Sequence, residues 1–163
     1  MNYSKIFSNK KTIFLLKFFI IFFVIELFIL VSNLSFYNSF LAFISSSYLG
    51  FLSEGNIIFI NGTKFVVDNS CTGLVSIAIL AGITFSLKNI DLFKKTKLFV
   101  FGSLILLLAN IPRIMIVLIS ANIGFDAELI HVLTWFFMSV IVLLIWYFGL
   151  KNTFKIKDFS ELL

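Results

Sequence analysis

Three polar residues in an otherwise apolar chain carry side chains that can do covalent chemistry together: Cys71, Arg113 and His131. Each is the sole residue of its type among 163. A thiolate attacks an acyl carbon, and a nearby imidazole takes and returns the protons. A guanidinium in a water-poor site stabilises both the thiolate and the oxyanion that forms on attack. Asp68-Asn69-Ser70, three good capping residues, precede Cys71, so the thiol is expected in the first turn of a helix, where the dipole lowers its pKa. Taken singly, each has a plainer reading: inert packing for the cysteine, a headgroup anchor for the arginine, an interfacial histidine. Packing does not account for three singletons at one depth.

The elements that must position them follow from composition. With 60% hydrophobic and 13% charged residues, the chain is far from the about 45–50% apolar and roughly 25% charged of a water-soluble domain. One cysteine and one histidine exclude an intrachain disulfide framework and a Cys/His zinc site, and neither metal nor other cofactor is expected. An all-α integral membrane protein is expected, a single membrane domain over 1–163. Its four spans fall near 12–31, 71–88, 98–121 and 129–150, each close to the ~20 residues that cross a bilayer. The first run exceeds a signal-peptide core, holds Lys17 and Glu26 and lacks a small-residue cleavage site, so it reads as a retained anchor. Ala78 and Gly82 give the second span a small face for close helix contact.

Between the first two spans, residues 34–52 place Phe36, Phe40, Phe43, Ile44 and Phe51 on one helical arc and Asn38, Ser39, Ser45 and Ser46 on another. That pattern predicts an amphipathic helix lying in the outer interface. Short β-prone runs around Asn61-Gly62 predict a hairpin over 56–68.

Lysines set the sidedness. All of the 13 basic residues except Lys64 and Arg113 fall before or early in the first span, between the second and third, or after the fourth. Both termini are therefore expected on the cytoplasmic side of the plasma (inner) membrane, and the site on the outer side. The net charge of +5 reflects this topology, and no nucleic-acid partner is expected. Arg113 follows Lys97 by 16 residues, ~24 Å up a ~30 Å core. An arginine at that depth costs up to ~3 kcal/mol and is functional by default. Ser103, Asn110, Arg113 and Ser120 share one stripe of this helix, and Pro112 removes the helical partner of the Leu108 carbonyl. Two carboxylates are candidate supports: Glu26, at a similar depth, as an ion-pair partner of Arg113, and Glu128 as an orienting group for His131.

Asp68-Asn69-Ser70-Cys71-Thr72-Gly73-Leu74 resembles the C-[ST]-G-[LI] block of the exosortase/archaeosortase family, and Asn110-Ile111-Pro112-Arg113 resembles its N-x-x-R block. His131 stands where that family has its third signature position. The resemblance covers about 55–135. It implies an integral-membrane cysteine protease/transpeptidase that cleaves C-terminal sorting signals of exported proteins (short motif, apolar helix, basic tail). The new C-terminus would pass to a lipid or other membrane acceptor. On that resemblance Cys71 is the nucleophile, Arg113 the electrostatic stabiliser and His131 the acid–base group, with Asn110 in support. Many members have more spans than this chain. Two other readings use the same residues differently: a non-catalytic membrane subunit (a ligand-binding transporter component or assembly factor) and a thiol-dependent lipid or glycan acyltransferase.

Overall fold

A computed structural model describes residues 10–154. Lys5, Lys155 and Lys157, and the tails 1–9 and 155–163 expected in the cytoplasm, lie outside the described residues. The order of elements is helix α1 (Lys10–Val31), helix α2 (Ser35–Leu49), strands β1 (Leu52–Glu54), β2 (Ile57–Ile60) and β3 (Thr63–Val66), a 3-10 turn (Asn69–Cys71), and helices α3 (Leu74–Ser86), α4 (Leu92–Asn122) and α5 (Ala127–Phe154).

Among the described residues, three helices are long and apolar enough to cross a membrane: Lys11–Val31, Leu92–Asn122 and Ala127–Lys151. They bury little of their apolar surface in one another; Phe23, Val24, Phe28, Phe136 and Phe137 all point outward. In water that surface would be untenable, whereas a bilayer solvates it. The expected span 71–88 holds a shorter apolar helix, Leu74–Ser86. Its α-helix has 13 residues, and at ~1.5 Å per residue it covers ~20 Å of a ~30 Å hydrocarbon layer. Gly73, in the left-handed region at φ +76°, separates the helix from the preceding 3-10 turn, and Leu87 is extended at ψ 144°.

The small face on α3 works as a docking surface for α1. A Cβ on Gly82 would lie 2.7 Å from a Phe18 ring carbon and 3.2 Å from the Phe18 carbonyl oxygen, so only glycine admits this approach. Three apolar layers then descend the molecule. Leu41, Ala42, Ile58, Ile60, Val67, Ile114 and Leu118 join α2, the sheet and α4. Leu80, Leu106, Met138 and Val142 join α3, α4 and α5. Leu87, Leu98 and Leu150 close the far end, where the Lys95 ammonium donates to the Leu87 carbonyl.

Helix α2 has the two expected arcs, but its polar one is turned into the protein. Asn38, Ser45 and Ser46 are buried while Phe36 and Phe43 are exposed, and the Ser46 hydroxyl donates to that of Ser53 at 2.8 Å. The helix stops at Leu49 because Gly50 adopts φ +74°. That early stop frees 52–54 for a strand, so a three-stranded antiparallel sheet of order β1-β2-β3 stands where a two-stranded hairpin was expected. Asn61 (φ +50°) and Gly62 (φ +80°) form the β2–β3 turn with both residues left-handed, the backbone that matches strand twist. The Asn61 amide ties this turn to the Asn122 carbonyl at 3.2 Å.

Candidate active site

The sheet and the 3-10 turn deliver Cys71 to one end of the bundle. Asp68 caps the turn, its carboxylate accepting from the Ser70 amide at 2.9 Å and the Ser70 hydroxyl at 2.6 Å. Those hydrogen bonds outweigh burial and hold the Asp68 carboxyl below its ordinary pKa. The Thr72 hydroxyl closes the turn on the Asn69 carbonyl at 2.7 Å, and the Tyr37 hydroxyl donates to the Thr72 carbonyl at 3.3 Å. Asn69 is held by Asn38 and the Ile29 carbonyl, so α1 and α2 both brace the loop that presents the thiol.

The thiol is not in the first turn of an α-helix, as the capping residues suggested; it lies before α3, in the 3-10 turn. It therefore lacks the aligned helix-terminal dipole expected to lower its pKa. The Ser70 hydroxyl lies 3.9 Å from the sulfur.

Arg113 projects from α4 and is 5% exposed. Its Nη1 donates to Asn110 Oδ1 at 3.1 Å, its Nε to Thr134 Oγ1 at 3.3 Å, and its Nη2 lies 3.1 Å from His131 Nε2. All three partners are neutral groups, and no carboxylate hydrogen-bonds the guanidinium among the described residues. Of its five N–H groups, two are left over. Asn110, fully buried, is the link: its Nδ2 donates to the Cys71 carbonyl at 2.7 Å while its oxygen holds Arg113. Gly73 makes this link possible. A Cβ there would sit 2.9 Å from Asn110 Cγ.

His131 lies one turn into α5, whose start Asp126 caps by accepting from the Glu128 and Leu129 amides at 2.8 and 3.3 Å. Thr134 donates its hydroxyl to the His131 carbonyl at 2.8 Å, which aims its oxygen lone pairs at Arg113. Cys71, Arg113 and His131 all line one cavity of about 380 Å³, with Phe65, Val66 and Asp68 on one wall and Glu128 on the other. The arrangement offers a nucleophile, a proton acceptor and spare cationic donors around a space large enough for a few peptide units.

The two carboxylate expectations fare differently from this cluster. Glu26 is not brought to Arg113. It sits on α1, which packs against α3, and its buried Oε2 has no hydrogen-bond partner. Glu128 reaches the cavity but makes no hydrogen bond to His131; Arg113 takes that role. Sequence reasoning missed Thr134 and Tyr37, whose hydroxyls are unremarkable on apolar helices. The one available signal was Thr134 lying three residues after His131, on the same helical face.

A family model described as transmembrane exosortase matches residues 6–147. No curated protein and no solved structure matches the chain.

Proposed function

The chain belongs to the transmembrane exosortase family, and from that premise we propose that it is a membrane-embedded cysteine protease/transpeptidase acting on the C-terminal sorting signals of exported proteins. The observation that carries this reading is a buried guanidinium with only neutral partners, opening with Cys71 and His131 onto one cavity. Burying an arginine without a carboxylate is costly. The cost is explained when an anion forms beside it during the reaction, as a thiolate and then an oxyanion.

A guanidinium only donates, so His131 Nε2, at 3.1 Å from Arg113, is an unprotonated acceptor in the resting site. Cys71 passes its proton to His131, and the sulfur forms a bond to the scissile carbonyl carbon. The carbonyl oxygen becomes the oxyanion that the spare Arg113 N–H groups receive. The C–N bond then breaks, and His131 returns the proton to the departing amine. The resulting thioester is attacked by an amine or hydroxyl of the membrane acceptor, whose proton passes to His131 and back to the thiolate as the S–C bond breaks. As His131 takes a proton, Arg113 must release Nε2, which frees the guanidinium for the anionic oxygen at the moment it forms.

Placement in the bilayer follows from the lysines. We read four crossings, with short α3 completed by its flanking turns and both termini cytoplasmic. The site then faces outward, where a substrate anchored by an apolar helix and held by a basic tail presents its motif.

The test uses intact cells, a membrane-impermeant thiol reagent and Cys71→Ser. Labelling of wild type but not the mutant, together with loss of maturation of tailed surface proteins in Cys71→Ser, supports the reading. Normal maturation in the mutant sinks it.

A further inference from the structure

Strand β3 has an unpaired edge, and that edge borders the cavity. In an antiparallel ladder, bonded and non-bonded residue pairs alternate. The Val67 amide donates to the Asn56 carbonyl at 2.8 Å. Given the register Ile57↔Val66, Ile58↔Phe65, Phe59↔Lys64 and Ile60↔Thr63, the bonded pairs are Ile58/Phe65 and Ile60/Thr63. Lys64 and Val66 therefore turn their N–H and C=O groups away from β2. No strand lies on that side among the described residues, since the sheet order is β1-β2-β3. No hydrogen bond reaches those four groups among the described residues.

The cavity's lining shows where the edge points. Phe65, Val66, Val67 and Asp68 all border it. Side chains of consecutive residues in an extended segment alternate between faces, so a space touching all four runs along the strand's edge. It continues to Cys71, three residues beyond Asp68. Val66 is 58% exposed, and the four-residue edge, which carries Lys64, has no proline in it.

We propose that this edge is the substrate-binding strand. An extended peptide segment of the protein substrate pairs with the backbones of Lys64 and Val66 as a fourth strand, and this pairing sets its scissile carbonyl beside Cys71. The inference rests on the proposed proteolytic reading and names how that substrate is held. Main-chain pairing gives affinity for any extended peptide, while pockets read alternate side chains. Ile114, Val117 and Leu118 on the α4 wall suit apolar side chains at the inward positions.

The experiment uses the full chain in lipid nanodiscs and a pool of random heptapeptide chloromethyl ketones. Cys71 sulfur displaces chloride from these probes, and mass spectrometry reads the rate. The pool is expected to alkylate Cys71 at least ~10-fold faster than chloroacetone, which carries the same reacting group, and N-methylation of alternate peptide nitrogens to remove that advantage, as two lost hydrogen bonds require. Val66→Pro deletes one edge donor without breaking a β2–β3 bond and should lower the ratio of peptide to chloroacetone rates in the same direction. Equal rates for methylated and unmethylated pools, or no acceleration by either, overturn the proposal. That failure is distinct from failure of the proteolytic reading, which is decided by maturation in Cys71→Ser cells.

Discussion

Arg113 Nη2 and His131 Nε2 lie 3.1 Å apart across the α4–α5 interface, and because the guanidinium has only donors the imidazole nitrogen must accept. His131 is thus held as the tautomer with its proton on Nδ1. The same guanidinium reaches back through Asn110 to the Cys71 carbonyl. One arginine fixes the orientation of both other singletons, so geometry at the site depends on its planar fork as well as on its charge.

Arg113→Lys keeps the charge and loses the fork. An ammonium cannot serve Asn110, Thr134 and His131 in their observed directions while keeping donors for an oxyanion. Processing of a tailed substrate should fall by ~10²–10³-fold, the usual cost of removing an oxyanion donor. A Lys variant with wild-type turnover would reduce Arg113 to an anchor.

Asn110→Ala tests the link between the thiol loop and the arginine. It leaves the buried Cys71 carbonyl and one Arg113 N–H without partners, which should cost about 1–3 kcal/mol. Thermal unfolding in detergent would read that loss, and a ~10- to 100-fold fall in turnover would show misplacement of the reacting groups. Unchanged turnover at lowered stability would mean that Asn110 only holds the fold.

Gly73→Ala meets two obstacles at once: φ +76° and a Cβ placed 2.9 Å from Asn110 Cγ. The combined strain should destabilise by about 1–3 kcal/mol. In an Asn110→Ala background the Cγ and Oδ1 contacts vanish, so the penalty of the second substitution should shrink. Simple additivity in the double-mutant cycle would argue against a close packing of these two residues.

What the sequence made legible was what stood out against apolar runs. Cys71, Asn110, Arg113 and His131 are visible because a membrane helix has no packing use for them; the structure brings Cys71, Arg113 and His131 to one cavity, with Asn110 buried between the first two. Depth counted along a helix was a poorer guide. Glu26 and Arg113 share a level by rise per residue, yet helix rotation, which depends on tertiary contacts such as Phe18 against Gly82, decides which face meets which. The turn before α3 was misread for a related reason. Capping residues mark the start of some turn, and only the left-handed Gly73 shows that the α-helix begins after the cysteine. Strand β1 was hidden because the apolar pattern of α2 runs on past Gly50, whose left-handed backbone ends the helix.

A prediction for Glu26→Gln follows from the same geometry. Glu26 hydrogen-bonds neither Arg113 nor His131 and does not line their cavity, so turnover in Glu26→Gln should stay within about twofold of wild type, as for substitutions away from a shared network. A large loss in Glu26→Gln would require α1 to rotate toward α4 in the working enzyme.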